Sequence, residues 1–235
     1  MRVESAILAR TSYYGTPLRV AASAWVARPV PLVYTTFRLE HAVWGVRPAG
    51  YHWVNLLLHA ANALLVWRLL RRLAMPGAWL AAALFALHPV QVESVAWVTE
   101  RKNVLSLFFV LLALLAWVEF IADDLKRSWR FYGLALAAYA LALFSKTIAC
   151  TLPAALLLIL WLKQKRIDRA RLTQLLPFVA LGLGMGLVTM WWERHHIGTA
   201  GPDFAIGSLK RILIASHAVW FYAGKLFWPA GLTFS

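Results

Sequence analysis

A succession of long apolar segments is the feature that most constrains the fold of this chain. Polar or basic stretches separate these segments, which are residues 52–70, 77–97, 103–121, 131–145, 147–162, 173–192 and 209–228. We expect the second segment to loosen at His88-Pro89, since proline removes a backbone donor, and a break at Ser145-Lys146-Thr147 between the fourth and the fifth. The 235 residues are 61% hydrophobic and 14% charged, with a mean hydropathy of +0.64, too apolar for an ordinary soluble domain. Since about 20 helical residues cross a bilayer, the pattern predicts an all-α polytopic membrane helix bundle of about six to seven spans.

Basic residues form short clusters at the ends of alternate apolar segments. The three clusters are Arg68, Arg71 and Arg72; Lys126, Arg127 and Arg130; and Lys163, Lys165, Arg166, Arg169 and Arg171. This placement is typical of cytoplasmic span ends and of contact with anionic membrane lipid. A nucleic-acid-binding protein would instead present its cations on one continuous face, so we expect no nucleic-acid partner despite the net charge of +14.

The topology set by these clusters gathers the other polar residues on the opposite, outer side. Residues 1–51, 88–102 and 193–208 would lie there, together with Lys146, and residues 209–228 would begin there and run inward. Charged residues at a membrane boundary must find water or a partner and often mark a functional site. The concentration of both signs of charge in residues 88–106 therefore indicates an enzyme or a transporter that works at the outer leaflet.

The N-terminal region differs in character from the apolar segments. Residues 25–46 are amphipathic and carry Arg38, Glu40 and His41, a pattern that predicts a helix lying along the membrane interface. We therefore divide the chain into an outer-face segment, residues 1–51, and a bundle, residues 52–235. The first two dozen residues lack the pattern of a signal peptide, so we expect a fragment whose first transmembrane helix is missing.

Four polar residues recur at helical spacing on one face of the first apolar segment: His52, Asn55, His59 and Asn62. Polar side chains inside a membrane bundle commonly form hydrogen bonds between helices, which is the role we predict. A metal site at His52 and His59 would need further ligands. The single cysteine, Cys150, excludes an internal disulfide and is predicted to pack within a span.

Several motifs together resemble a known family. They are Pro48-Ala49-Gly50-Tyr51-His52-Trp53-Val54-Asn55, His88-Pro89-Val90-Gln91-Val92-Glu93, Glu100-Arg101-Lys102-Asn103, Ser145-Lys146 and Phe227-Trp228-Pro229. Residues 25–235 are similar to multi-spanning membrane proteins related to protein O-mannosyltransferases. Those proteins are glycosyltransferases of the GT-C architecture and are often fused to C-terminal tetratricopeptide repeats.

The resemblance implies transfer of a sugar, mannose by analogy, from a polyprenyl-phosphate donor to a protein or glycan acceptor at the outer face. It implies membrane lipid and the lipid-linked sugar as partners, and a divalent metal is left open. We expect a bacterial inner membrane with the active face in the periplasm. In that fold the catalytic carboxylate lies in the first outer loop. Only Glu4 and Glu40 occur among the first fifty residues, and Glu40 does not fall at that position, so we expect the general base to be absent here.

Five residues are candidates for the site. A departing lipid phosphate needs cations near the outer headgroup level, and we assign donor-phosphate binding to Arg101, Lys102 and Lys146, since Arg can hold a phosphate through two hydrogen bonds. Glu93 and His88 are the candidate catalytic residues, because they could orient a cation, bind sugar hydroxyls or donate to the phosphate.

Each assignment has an alternative. Arg101 and Lys102 could be interfacial anchors, Glu93 could pair with Arg101 to hold the loop, and His88 could simply end a helix beside Pro89. At the level of function, the alternatives are a transporter or flippase of a lipid-linked or anionic substrate, and a catalytically silent membrane anchor. Many transporters contain paired inverted repeats with broken helices, and we find no such pairing in the sequence.

Overall fold

The computed structural model describes residues 31–122, 129–163, 168–197 and 207–230. The α-helices in these ranges are α1 (Pro31–Trp44), α2 (Pro48–Arg72), α3 (Ala78–Leu87), α4 (Val92–Ala96), α5 (Arg101–Ala122), α6 (Trp129–Ser145), α7 (Leu152–Lys163), α8 (Arg169–Trp192) and α9 (Ser208–Phe227). Short 3₁₀ turns precede α4, α5 and α7, and a π turn (Glu193–Ile197) follows α8. The described residues contain no strand, which confirms the prediction of an all-α membrane helical protein.

Three of these helices are long and apolar enough to cross a membrane. They are Pro48–Arg72, Val98–Ala122 and Arg169–His195, and a fourth candidate is the pair Ala78–Leu87 and Pro89–Ala96, bent by 50°. The apolar helices Trp129–Ser145 and Thr147–Lys163 are shorter. The predicted total of six to seven spans stays a prediction.

The two predicted interruptions of the apolar segments are present. α3 ends at His88, whose backbone is extended (φ −67°, ψ 129°), because Pro89 has no N–H to continue the helix. α6 ends at Ser145, and Lys146 is extended (φ −161°, ψ 127°) before the 3₁₀ turn Thr147–Thr151 begins. Both breaks expose polar groups at the same end of the bundle.

A tight corner joins the amphipathic helix α1 to α2. Gly45 adopts a left-handed conformation (φ 58°) that a residue with a side chain would adopt at a cost. The Tyr51 hydroxyl donates a hydrogen bond of 2.7 Å to the Gly45 carbonyl. The Trp44 ring occupies the space that a side chain at Gly50 would need. The predicted helix within residues 25–46 is therefore confirmed over the described range, and it folds back onto the bundle.

α5 is the central helix, and α6 beside it runs in the opposite direction. The Ser106 hydroxyl donates to the Ala142 carbonyl at 3.1 Å near one end, and the rings of Trp117 and Tyr132 lie 6.3 Å apart near the other, so α6 runs antiparallel to α5. The fully buried Trp117 and Phe178 lie in edge-to-face contact with ring centroids 5.7 Å apart. Aromatic packing of this kind holds α5, α6 and α8 together.

The bundle has two chemically distinct ends. At the basic end, Arg72 forms an ion pair of 3.2 Å with Glu119, and Lys163 donates to the Arg72 carbonyl at 2.7 Å. At the polar end lie the start of α5 and Lys146, with Thr147 and Thr189 joined by a 2.9 Å hydrogen bond. The basic residues and the other polar residues thus lie at opposite ends of the bundle, as the sequence predicted. Lys126, Arg127, Lys165 and Arg166 fall outside the described residues.

The direction predicted for the last helix was wrong. We expected residues 209–228 to start at the outer side and run inward, which would bring their C-terminal end to the basic end. Instead the carbonyl of Leu226 lies 3.0 Å from Nε2 of His88, at the polar end. The apolar character of α9 alone could not reveal this contact, which joins residues 138 positions apart.

Candidate functional site at the polar end

A buried ion pair fixes the start of α5. The guanidinium of Arg101 is fully buried and contacts both carboxylate oxygens of Glu40, one of them at 3.1 Å. Its Nε donates to Asn55, its Nη2 donates to the Tyr51 carbonyl at 2.9 Å, and its charge lies 5.1 Å from the centre of the Phe37 ring. All three nitrogens of Arg101 are therefore used within the protein, and they join α1, α2 and α5.

This geometry changes how the predicted role of Arg101 is judged. The alternative pairing with Glu93 was wrong, because Glu40 on α1 is the carboxylate that Arg101 contacts. A role as an exposed interfacial anchor is also wrong, since Arg101 has an exposed fraction of 0%. A guanidinium with this set of partners holds the site in shape, and a direct contact with the donor phosphate would require breaking the ion pair.

The polar face predicted on the first apolar segment is present on α2. Asn55 donates to the carbonyls of Val95 and Trp97 at 3.2 and 3.0 Å, and Asn62 donates to the Val104 carbonyl at 2.9 Å. His59 also lies buried, with Nε2 3.0 Å from a carbonyl of α3. These contacts confirm the interhelical role for Asn55, His59 and Asn62. His52 does not share it, because it is exposed.

A second polar cluster lies two residues further along α5, centred on Asn103. Its side-chain nitrogen donates to Ser94 at 2.9 Å and to Glu100 at 2.8 Å, and its oxygen accepts from Lys146. Lys102 forms an ion pair of 2.9 Å with Glu100. We call these five residues the Asn103 cluster. It brings together two of the three predicted phosphate-binding cations, Lys102 and Lys146.

A ligand can reach the cations of the Asn103 cluster, whereas it cannot reach the buried Arg101. The Lys102 side chain is 37% exposed, and Lys146 is partly buried. Burial lowers the pKa of Lys146, Glu100 opposes this effect, and the like charge of Lys102 adds to it. A partly desolvated ammonium beside a second cation gains much from an added anion, so the cluster is suited to receive a negatively charged group.

The two candidate catalytic residues have different surroundings. Within the described part of the chain, the Glu93 carboxylate has no hydrogen bond or ion pair, and it is partly buried on α4. His88 caps the turn before α4, where its Nδ1 accepts from the Val90 N–H at 3.2 Å, so the proton on Nε2 points to the Leu226 carbonyl. Glu93 is thus available to a substrate, whereas the contacts of His88 suit its alternative role as a helix-end residue.

The other sequence features considered, which are potential metal ligands, the loop after α8 and Cys150, add no further group to the candidate site. Residues 31–122, 129–163, 168–197 and 207–230 contain no group of three or more potential metal ligands among His, Cys, Asp and Glu. In the predicted outer loop after α8, His195 Nδ1 lies 2.8 Å from the Trp191 carbonyl. Cys150 is partly buried in the turn before α7, in line with a packed residue.

Two contributors to this end of the bundle escaped the sequence reasoning. Glu40 was noted on the amphipathic helix and set aside as a general base, and no sequence pattern around it indicates a partner 61 positions away. Asn103 was noted only as the last residue of the motif Glu100-Arg101-Lys102-Asn103, without a role of its own. The signal that could have indicated its role is its place at the start of a span, where a partly buried amide must find partners.

The helical architecture and the two-ended bundle define the class, an integral membrane protein built as a helix bundle. The family model described as "Dolichyl-phosphate-mannose-protein mannosyltransferase" matches residues 27–192. The chain belongs to this family.

Individual relatives agree with the family match. The chain is 32% identical to protein O-mannosyl-transferase TMTC2 of Mus musculus over 82% of its own length, and 32% identical to Tmtc2 of Drosophila melanogaster over 88%. It is 37% identical to Tmtc1 of Drosophila melanogaster over 61%. The chain spans only 24%, 22% and 16% of these three relatives. No solved structure matches the chain.

Proposed function

We propose that the chain forms the donor-binding part of a membrane glycosyltransferase, which moves mannose from a polyprenyl phosphate to a protein at the outer face of the membrane. The Asn103 cluster carries the proposal, since it holds two reachable cations, Lys102 and Lys146, at the polar end of a bundle in this family. The relatives are named as protein O-mannosyl-transferases, which supports a protein acceptor.

In this proposal Lys146 and Lys102 contact the donor phosphate. As the bond between sugar and phosphate breaks, negative charge accumulates on the phosphate oxygens, and an ammonium already in place stabilises it without reorganisation. Asn103 keeps Lys146 oriented through its side-chain oxygen. Arg101 is a positioning residue, because the ion pair with Glu40 fixes the turn of α5 that carries Lys102 and Asn103.

Glu93 is the proposed carboxylate on the acceptor side, where it would accept hydrogen bonds from sugar or acceptor hydroxyls. Its freedom from protein partners in the described residues supports this role. His88 is proposed to shape the turn that presents α4. The location in a bacterial inner membrane, with a periplasmic active face, stays a prediction, and the relatives named above are animal proteins.

The test is transfer of radiolabelled mannose from polyprenyl-phosphate mannose by the full-length protein in membranes. We expect Lys146→Ala to reduce transfer at least tenfold, whereas Lys210→Ala, which changes an exposed lysine of α9, should leave it unchanged. Equal transfer by both variants would remove Lys146 from the donor site. A full-length protein that transfers sugar from no lipid-linked donor would favour the transporter, flippase or anchor alternatives.

The outer-face assignment has its own test. In a Cys150→Ser background, a cysteine introduced at the partly exposed Lys102 should react with a membrane-impermeant maleimide added from outside to intact cells. One introduced at exposed Arg71 should not. The opposite pattern of labelling would place the Asn103 cluster on the cytoplasmic side and would exclude a lipid-linked donor at the outer leaflet.

A further inference from the structure

A cationic pocket lies at the basic end of the bundle, along the last turns of α2. It has a volume of about 560 Å³, within the ~300–1,000 Å³ typical of ligand pockets. Among the described residues, its lining consists of Leu64, Trp67, Arg68, Arg71 and Arg72. Since neighbouring members of this set are three or four residues apart, they share one face of the helix. The pocket contains no residue of the Asn103 cluster, which lies at the opposite end of the bundle.

The lining of this pocket changes from apolar to cationic along the helix axis. At about 1.5 Å of rise per residue, Leu64 lies roughly 6 Å below the level of Arg68 and roughly 10 Å below that of Arg71, toward the middle of the span. The Leu64 side chain is 62% exposed, so the described helices leave it uncovered. A molecule with an anionic head beside the arginines and a hydrocarbon chain beside Leu64 would match both levels.

The three arginines of the pocket have different partners. Arg72 is used within the protein, through its ion pair of 3.2 Å with Glu119. The Arg71 guanidinium lies 5.2 Å from the centre of the Trp67 ring, a contact that orients the side chain and leaves its charge in place. Within the described part of the chain, the exposed side chains of Arg68 and Arg71 form no ion pair or hydrogen bond. Two positive charges of the pocket are therefore left to attract an anion.

Capping of α2, the other role that basic residues often have at the end of a helix, is filled by other groups. The last carbonyls of a helix lack partners within it, and Lys or Arg side chains commonly supply them. Here the carbonyls of residues 69–71 accept hydrogen bonds of 2.9 to 3.0 Å from the backbone N–H groups of residues 73–75. The Arg72 carbonyl accepts one of 2.7 Å from Lys163. The guanidinium groups of the pocket are therefore not needed to end the helix.

We propose that this pocket binds an anionic glycerophospholipid from the membrane leaflet at the basic end. Arg68 and Arg71 donate to its phosphate oxygens, since a guanidinium presents two parallel N–H groups to a phosphate. Leu64 contacts the first part of an acyl chain, and Trp67 keeps Arg71 at the level of the head group. Basic pockets beside membrane helices are suited to such head groups. The proposal is independent of the sugar donor, because the pocket and the Asn103 cluster share no residue.

The experiment titrates the full-length protein in neutral detergent micelles with dioctanoyl phosphatidylglycerol and measures Kd and Tm. A ligand that binds only the folded state raises Tm. In the double variant Arg68→Gln, Arg71→Gln, we expect Kd to rise at least tenfold and most of the rise in Tm to be lost. The matched control is Arg130→Gln, which removes an exposed arginine of α6 outside the pocket and should bind like the wild type.

Comparison ligands identify what the pocket recognises. Dioctanoyl phosphatidylcholine has the same chains without the net negative charge, and we expect it to bind at least tenfold more weakly than dioctanoyl phosphatidylglycerol. Glycerol 3-phosphate and inorganic phosphate carry the negative charge without acyl chains, and they too should bind at least tenfold more weakly. Leu64→Gln should weaken binding of the phosphatidylglycerol about threefold and leave binding of glycerol 3-phosphate unchanged.

Four results would overturn the proposal. Equal binding of the two lipids would show an apolar surface without recognition of charge. Binding of glycerol 3-phosphate as tight as that of the phosphatidylglycerol would show a site for a soluble phosphate. An equal loss of binding in Arg130→Gln would show general attraction to net charge. A double variant with a lower Tm and an undiminished response to phosphatidylglycerol would show that the arginines serve the fold. Because none of these readouts uses sugar transfer, failure of the proposed function would leave the result intact.

Discussion

Arg101 and Lys146 are two cations at the same end of the bundle, and the structure uses them in opposite ways. Arg101 is fully buried, and its three nitrogens contact Glu40, Asn55 and the Tyr51 carbonyl. Lys146 is partly buried and contacts the side chain of Asn103, although an ammonium has three N–H groups to donate. Arg101, with a hydrogen bond on each of its three nitrogens and no exposed surface, contributes to stability, whereas Lys146, with N–H donors to spare, can bind a ligand.

The largest effect, a loss of stability, is expected when Glu40, the ion-pair partner of Arg101, is removed. Glu40→Ala leaves the Arg101 charge buried without its ion-pair partner, which costs about 3–5 kcal/mol of unfolding free energy. The measurement is reversible unfolding in detergent micelles. Glu93→Ala is the control, because that carboxylate has no partner in the described residues, and it should change stability by no more than about 0.5 kcal/mol. Equal losses in both variants would contradict the assignment of Arg101 to structure.

The next effect is expected at Lys146, and it should appear in donor binding. Lys146→Gln removes a charge-assisted hydrogen bond of about 1.5–3 kcal/mol, so KM for the donor should rise about 10- to 100-fold with little change in stability. Burial lowers the pKa of Lys146, so its charge is lost at a lower pH than that of an ordinary lysine. Donor binding should therefore weaken as the pH is raised through the lowered pKa.

The pH dependence supplies the control for Lys146. Lys146→Arg keeps a charge that persists at alkaline pH, so the fall in donor binding should move to higher pH or disappear from the alkaline range. The same alkaline fall in Lys146→Arg and in the wild type would show that another group titrates.

A smaller effect is expected at Asn103, which contacts Ser94, Glu100 and Lys146. Asn103→Ala should lower stability by about 1 kcal/mol, the net contribution of a typical hydrogen bond. Asn103→Asp keeps an acceptor for Lys146 and adds a negative charge, which should raise the pKa of Lys146 and shift the alkaline fall in donor binding upward. An unchanged pH profile in Asn103→Asp would separate Asn103 from Lys146.

The smallest effect is expected at Lys102, where the ion pair with Glu100 is open to solvent. Lys102→Gln should change the unfolding free energy by less than about 1 kcal/mol, since exposed pairs contribute little and are screened by salt. Its effect on KM for the donor should be weaker than that of Lys146→Gln and should diminish at high ionic strength. A larger rise of KM in Lys102→Gln than in Lys146→Gln would show that Lys102, not Lys146, is the main contact of the donor phosphate.

Local chemistry explains which structural features were predictable. The break at His88-Pro89 follows from the missing N–H of proline, and the helix of residues 31–44 follows from its amphipathic pattern. The polar face of Asn55, His59 and Asn62 follows from helical spacing combined with the cost of an unpaired amide in a membrane.

Pairings between distant residues could not be predicted in the same way. The choice of Glu40 over Glu93 as the partner of Arg101 depends on how α1 folds back at Gly45, a turn whose direction no apolar pattern specifies. The contact between His88 and Leu226 likewise depends on the path of the chain between α8 and α9. In the candidate site, the types of residue were predictable, but the division of cations into buried and reachable was a property of the packing.

The proline in α8 has a mechanical consequence. Pro177 lies inside the helix, and it leaves the Thr173 carbonyl without its usual N–H partner, which makes this turn the softest point of the helix axis. Before the proline, α8 is anchored through the buried Leu175 and through the Gln174 carbonyl, which accepts a 2.9 Å hydrogen bond from Tyr132. Above it, Gly184 and Gly186 add no side chain that grips a neighbour. After the proline, α8 is held by the buried Phe178 and by the hydrogen bond between Thr189 and Thr147. A bend at Pro177 would therefore be transmitted to the 3₁₀ turn that directly follows Lys146.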